Sequence, residues 1–85
     1  MNIVFHPDAW DDYQYWLQKD RRRLQRVNQL IRDIMRDDPF AGLGKPEPLR
    51  HQLQGTWSRR IDDEHRIVYR VLGDDLFILQ CRYHY

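Results

Sequence analysis

The chain has 85 residues, with 14 Lys and Arg against 13 Asp and Glu and a formal net charge of +1, so its overall balance gives no argument for a nucleic-acid partner. A single cysteine excludes an internal disulfide, and no Cys/His cluster has zinc-ligand spacing, which suits a reducing, cytoplasmic compartment. Residues 1–5 are too short for a signal-peptide core and no apolar run reaches membrane-spanning length, so one soluble domain over residues 1–85, without membrane association, is expected.

Asn2-Ile3-Val4-Phe5 reads as a short strand, stopped by His6-Pro7 because the residue before proline is driven to extended geometry and proline suits a first helical turn. Asp8, Asp11 and Asp12 favour a helix N-terminus, and Trp10, Tyr13, Trp16 and Leu17 recur at helical spacing, which predicts a first helix over residues 7–18 with a buried aromatic stripe. Asp20 has the character of an N-cap for a second helix reaching about residue 36, whose buried stripe is Leu24, Val27, Ile31 and Ile34. Arg21, Arg22, Arg23 and Arg26 read as a solvated helix face. Asp37-Asp38-Pro39 stops this helix, and the pair forms an αα-hairpin.

Residues 40–52 form the one long irregular stretch. Gly42 and Gly44 loosen it while Pro46 and Pro48 stiffen the backbone on either side of Glu47. A loop of that length is usually functional or disordered. The flanking prolines argue against disorder, leaving a working loop or a rigid connector.

Three strands come next, over residues 57–61, 65–72 and 76–84, joined by polar turns at 62–64 and 73–75 as an antiparallel meander. Alternation puts Ile61, Ile67, Tyr69, Val71, Phe77, Leu79, Cys81 and Tyr83 on the helix-packed face. Ser58, Arg60, Arg66, Arg70, Gln80, Arg82 and His84 then share the other face, which no helix is left to cover. Arg59 falls on the packed side, where its head would reach water at an edge. After Phe40 every acid except Glu47 lies in an apparent turn, so charge is segregated by element. An unmixed cluster of arginines and a histidine repels itself until an anion arrives, which favours an anion-binding face over an ordinary solvated one.

A basic face, a histidine and a glutamate on a stiff loop suit phosphodiester cleavage without a metal or other cofactor. The reaction needs a base for the 2′-hydroxyl proton, an acid for the leaving 5′-oxygen and a fixed cation for the charge on phosphorus. Glu47 suits the base, His84 the acid and Arg66 the cation, with Tyr83 and Tyr85 available for stacking or orientation. This constellation is of low specificity by itself.

The residues also resemble a known family. Trp10-Asp11-Asp12-Tyr13, Gly42-Leu43-Gly44-Lys45-Pro46-Glu47-Pro48-Leu49, Trp57-Ser58-Arg59-Arg60-Ile61, His65-Arg66-Ile67-Val68-Tyr69 and Cys81-Arg82-Tyr83-His84-Tyr85 occur in the order of the YoeB (Txe) toxins of the RelE/ParE superfamily. The resemblance implies an α+β, microbial-RNase-like β-α-α-β-β-β fold, with a helical hairpin on one face of a mainly antiparallel sheet. It implies the toxin of a type II toxin–antitoxin system, an endoribonuclease that cuts A-site mRNA on the ribosome and stops translation. It also implies a cognate YefM/Phd-type antitoxin, contact with operator DNA only through that antitoxin, and a possible homodimer. Carried over, the proton acceptor falls on Glu47, the proton donor on His84, the phosphate-stabilising cation on Arg66 and an orienting tyrosine on Tyr85. Lys45, His51, Arg59 and Arg60 become candidate RNA contacts. The competing expectations are a gyrase-inhibiting toxin of the ParE type and a non-catalytic RNA- or protein-binding module.

Overall fold

The computed structural model describes residues 1–36, 38–50 and 54–83. Its elements in order are β1 (Asn2–Phe5), α1 (Pro7–Lys19), α2 (Arg21–Arg36), β2 (Glu47–Pro48), β3 (Thr56–Arg60), β4 (Arg66–Leu72) and β5 (Asp75–Gln80). The sheet runs β1-β5-β4-β3-β2, with β1 parallel to β5 and every other pair antiparallel. The expected α+β layout is present, extended by the two-residue β2 inside the long loop. Among the described residues, no helix is long and apolar enough to cross a membrane.

The helical hairpin turns on one residue. His6 caps α1 by accepting the Asp8 N–H at Nδ1 (3.1 Å), and Pro7 occupies the first turn. Asp20 leaves helical geometry at φ −155° while its N–H still donates to Trp16 O, ending α1. Its carboxylate then accepts the Arg23 N–H (3.1 Å), starting α2. The α2 stripe of Leu24, Val27, Leu30, Ile31 and Ile34 is buried in the main core with Ile67, Tyr69 and Ile78 of the sheet.

The α1 stripe is narrower than its spacing predicts. Ala9 and Trp16 are buried, whereas Trp10 is 49% exposed and Leu17 lies at the surface. Trp10 stacks instead on Tyr13 (6.1 Å), and both rings meet Phe5 edge-on, forming an aromatic cluster at the margin of the core.

The largest correction concerns β5. Simple alternation puts Phe77 and Leu79 inside, but Leu76, Ile78 and Cys81 are the residues at 0% exposure. Two departures from regular pairing cause this. Leu72 pairs with Asp75, so the connection is the two-residue Gly73-Asp74, with Gly73 at φ 60°. Then Tyr69 pairs with Ile78 while Val68 pairs with Gln80, leaving Leu79 as an extra residue. A bulge of one residue reverses parity, so Cys81 re-enters the core after Ile78. The strand stops at Gln80, short of the expected run to residue 84.

This register makes a testable distinction. Ile78→Ala should cost roughly 2–5 kcal/mol of stability, as deletion of well-packed core methyls does, and Leu79→Ala clearly less. Paired denaturant titrations check the order, and a larger loss at Leu79 would contradict the register.

Candidate active site

The route to the site starts inside the core. Arg59, near the end of β3, has a side chain at 0% exposure. Its Nη1 donates to Asp33 Oδ2 (2.6 Å) and Leu43 O (3.1 Å), and its Nη2 to Pro39 O (3.2 Å) and Ala41 O (2.8 Å). Nε donates to Tyr69 Oη (3.1 Å), which in turn donates to Pro39 O (2.6 Å). A guanidinium offers donors in a planar fork and cannot shed its charge. Here every guanidinium nitrogen is engaged, by α2, by β4 or by the carbonyls of one loop. Asp33 closes the circuit by accepting the Leu43 N–H (3.0 Å). That bond, followed by the Arg59 contact, holds its carboxyl below the usual carboxylate range.

The loop can wrap this closely because of Gly42, at φ 120°, where an added Cβ would strike the Asp33 carboxylate. Gly44 and Lys45 follow at φ 80° and 53°, and Gly44 O accepts the Arg60 N–H (2.6 Å). The chain is thereby delivered to the edge of β3, where Glu47 pairs with Ser58 and Pro48 with Trp57. The stiff, proline-flanked segment is therefore a strand.

Pairing across the sheet fixes what shares a side with Glu47. Its row continues through Ser58, Val68 and Gln80, and Arg60 stands opposite Arg66 two residues along. Strand spacing of about 4.8 Å and a rise of about 3.4 Å per residue place the Glu47 and Arg66 backbones roughly 12 Å apart on that side. Glu47 and Arg60 are exposed, but Ser58, Thr56, Val68 and Arg66 are buried, as is Leu49 beyond β2. The expected open basic face is thus a partly buried recess. Arg66 Nε, Ser58 Oγ and Thr56 Oγ1 are buried without a hydrogen-bond partner among the described residues. A buried donor left unmade costs about 1–3 kcal/mol, and the described residues supply no acceptor for the Arg66 Nε–H.

Beyond β5 the backbone is held bond by bond. Asp12 Oδ2 accepts the Cys81 N–H (3.0 Å), and Trp16 Nε1–H donates to Cys81 O (2.8 Å). Burial pushes the Cys81 thiol up to about 12, which makes it a protonated core residue rather than a nucleophile. Tyr83 donates its N–H to His65 Nδ1 (2.7 Å), and its carbonyl accepts the Arg66 N–H (3.0 Å).

The structure brings Glu47 and Arg66 to one face, with Arg60 beside Arg66 and Lys45 on the approach loop. Arg59 is corrected: its head never reaches water, and it serves as a loop anchor rather than an RNA contact. Arg82 also leaves the basic face, its guanidinium lying 3.5 Å from the centre of the Tyr15 ring on α1. Tyr83 is 54% exposed at φ 64°, so its ring does not pack the strand down. His51, His84 and Tyr85 lie outside the described residues. Sequence reasoning does not single out Thr56, Ser58 or His65 as site residues. A hydroxyl on the same alternation as Arg66 is the available signal for Ser58 and Thr56.

Two helices on one side of a five-stranded mixed sheet, with a carboxylate and a buried arginine on the other, give an α+β domain whose site lies on the face away from the helices. The model of the YoeB-like toxin of bacterial type II toxin–antitoxin systems matches residues 5–85. The chain is 55% identical over 84 residues to the toxin YoeB of Mycobacterium bovis, covering 99% of this chain and 98% of that one. A YoeB/ParE toxin from Agrobacterium tumefaciens superposes with a TM-score of 0.95 at 52% identity, with 100% of each chain covered. The Staphylococcus aureus YoeB has been solved as a dimer (TM-score 0.94, 44% identity) and in a YoeB–YefM complex (0.91, 42%), with 100% of this chain and 98% of that one covered in both. The protein belongs to the YoeB family of type II toxins.

The anchor predicts an asymmetry between neighbouring arginines. Arg59→Leu strands Asp33 and the loop carbonyls and should cost about 3–5 kcal/mol, while Arg60→Leu stays within about 0.5 kcal/mol; thermal or urea unfolding measures both. Because the folded carboxyl of Asp33 is lowered, its contribution is complete above the ordinary carboxylate value and disappears as pH falls through the lowered one. Asp33→Asn should accordingly flatten the acid limb of stability against pH, and an unchanged acid limb would contradict the assignment.

Proposed function

We propose that the protein is a ribosome-dependent endoribonuclease that cuts mRNA in the A site by general acid–base catalysis. The observation that carries the reading is the pairing of Glu47 on β2 with Ser58, beside the recess where Arg66 Nε–H is buried with no partner among the described residues.

The chemistry rests on what each group can exchange. Glu47 takes the proton of a ribose 2′-hydroxyl, and the resulting oxygen attacks the adjacent phosphorus. Arg66, fixed before substrate arrives, donates to a non-bridging oxygen as charge accumulates there. The bond from phosphorus to the 5′-oxygen breaks, and His84 supplies the proton to that leaving oxygen. The products are a 2′,3′-cyclic phosphate and a free 5′-hydroxyl. Tyr85 orients the scissile group, and Lys45, Arg60 and His51 hold flanking RNA or rRNA phosphates. Exposed cations of this kind contribute affinity that weakens with salt.

The S. aureus YoeB–YefM complex supports a YefM-type antitoxin as the neutralising partner, and the dimer of that relative supports a homodimer here. Operator contact then comes through the antitoxin, and the compartment is the cytoplasm, where the ribosomes are.

Mapping mRNA 5′ ends in a reconstituted translation reaction should reveal new cuts at codons held in the A site. Glu47→Gln and His84→Gln should each lower single-turnover cleavage by about 10²–10⁴-fold, the usual scale of acid–base catalysis. Arg66→Lys should also be slow, since an ammonium lacks the planar fork. Intact message in the presence of active, folded protein would overturn the reading.

A further inference from the structure

The segment after β5 should fray, since strand pairing ends at Gln80, yet Tyr83 is fastened at both of its backbone polar groups. Its N–H donates to His65 Nδ1 (2.7 Å) and its carbonyl accepts from Arg66 N (3.0 Å). Two successive residues of one chain segment therefore grip a single residue of another. Tyr83 is held in the left-handed region at φ 64°, a conformation that is unfavourable for a tyrosine and persists only where surroundings impose it. Its ring, more than half exposed, lies tilted against the His65 ring at 5.7 Å.

His65 is itself fixed. It is buried at 7% exposure, its ring edge-on to Trp16 at 4.8 Å. Its backbone N–H donates to Asp62 Oδ1 (2.7 Å), and Asp62 is tied through its other oxygen to Arg23 Nε (2.5 Å) on α2. A ring nitrogen that accepts from a peptide N–H must carry a lone pair, so the ring proton belongs on Nε2, which faces Glu64 Oε2 at 3.6 Å. Arg23 is thus a strut between α2 and the 62–65 turn.

We propose that His65 is a positioning residue for cleavage. Through its Nδ1 lone pair it sets Tyr83 beside Arg66, and so fixes the point from which the next residue, the acid His84, is tethered relative to the phosphate-binding cation. The role rests on the acid–base reading above. The site needs such a device because acid and cation lie on different segments, and misplacement by 1 Å can cost about 100-fold in rate.

Two substitutions separate acceptor from bulk. His65→Phe keeps a ring against Trp16 and removes the acceptor; His65→Asn puts Oδ1 where Nδ1 lies and loses the ring. In single-turnover cleavage of ribosome-bound mRNA, His65→Phe should fall about 10–100-fold in maximal rate with the half-saturating concentration little changed, and His65→Asn should recover most of that loss. Full activity of His65→Phe, or equal loss in both variants when both are folded, would overturn the proposal. Nitrogen-15 NMR of the unsubstituted protein gives an independent check should His65→Phe fail to fold. A neutral ring with an unprotonated Nδ1 and a slowly exchanging Tyr83 amide is expected; a protonated Nδ1 or a freely exchanging amide would overturn it. Absence of cleavage by the unsubstituted protein, with that NMR signature intact, would instead reject the nuclease reading.

Discussion

The Arg59 guanidinium lies wholly inside the protein, and residues 39–43 are wrapped round it. A permanently charged group is tolerated there only when it is paired and hydrogen-bonded throughout. Asp33 supplies the counter-charge, Tyr69 an acceptor, and the loop the remaining oxygens. The dependence is mutual. A loop without regular structure has carbonyls that must find donors, and one arginine provides them where a helix or strand would otherwise do so. The placement of β2 depends on this arrangement. The chain leaves the anchor through Gly44, which bonds Arg60 N, and Glu47 then falls into register opposite Ser58.

The other side of the recess is held by different means. Arg66 begins β4, just after a turn in which Asp62 accepts the N–H groups of Glu64 and His65. The segment after β5 is bonded to α1 at Cys81 and to residues 65 and 66 at Tyr83. The helices therefore do more than cover the sheet: they hold the segments on either side of Arg66. Asp33 and Arg23 of α2 steady the loop and the turn, while Asp12 and Trp16 of α1 steady the departing strand. In a chain of 85 residues there is little core to spare, and polar anchors perform positioning that a larger protein could assign to apolar packing.

Periodicity and turn chemistry make the helices and the succession of strands legible, because the α2 stripe and the turns at Asp62 and Gly73 are local signals. The face of β5 is not legible. Parity arguments depend on turn length and an unbroken ladder: the connection is two residues where three are expected, which turns Leu76 and Ile78 inward, and the extra residue Leu79 then returns Cys81 to the core, neither leaving any mark in composition. Arg59 is misjudged for a related reason: charge type predicts exposure on average, and only the three-dimensional loop shows that its carbonyls converge. The place of Arg66 on the face away from the helices is readable from alternation, whereas the bond His65 accepts from the Tyr83 N–H is not, since a histidine beside a turn has no local signature of an acceptor. The resemblance to the YoeB toxins supplies the family correctly but carries Arg59 over as a surface contact, although it is interior.

The Arg59 anchor and the Glu47 strand should behave as one cooperative unit, and native-state hydrogen exchange under increasing denaturant tests this directly. The amides of Leu43, bonded to Asp33, of Arg60, bonded to Gly44, and of Leu49, bonded to Thr56, should open with a common free energy and a common denaturant dependence. A Leu49 amide that exchanges freely while Leu43 and Arg60 stay protected would contradict that coupling, because the strand carrying Glu47 would then not be held by the buried arginine.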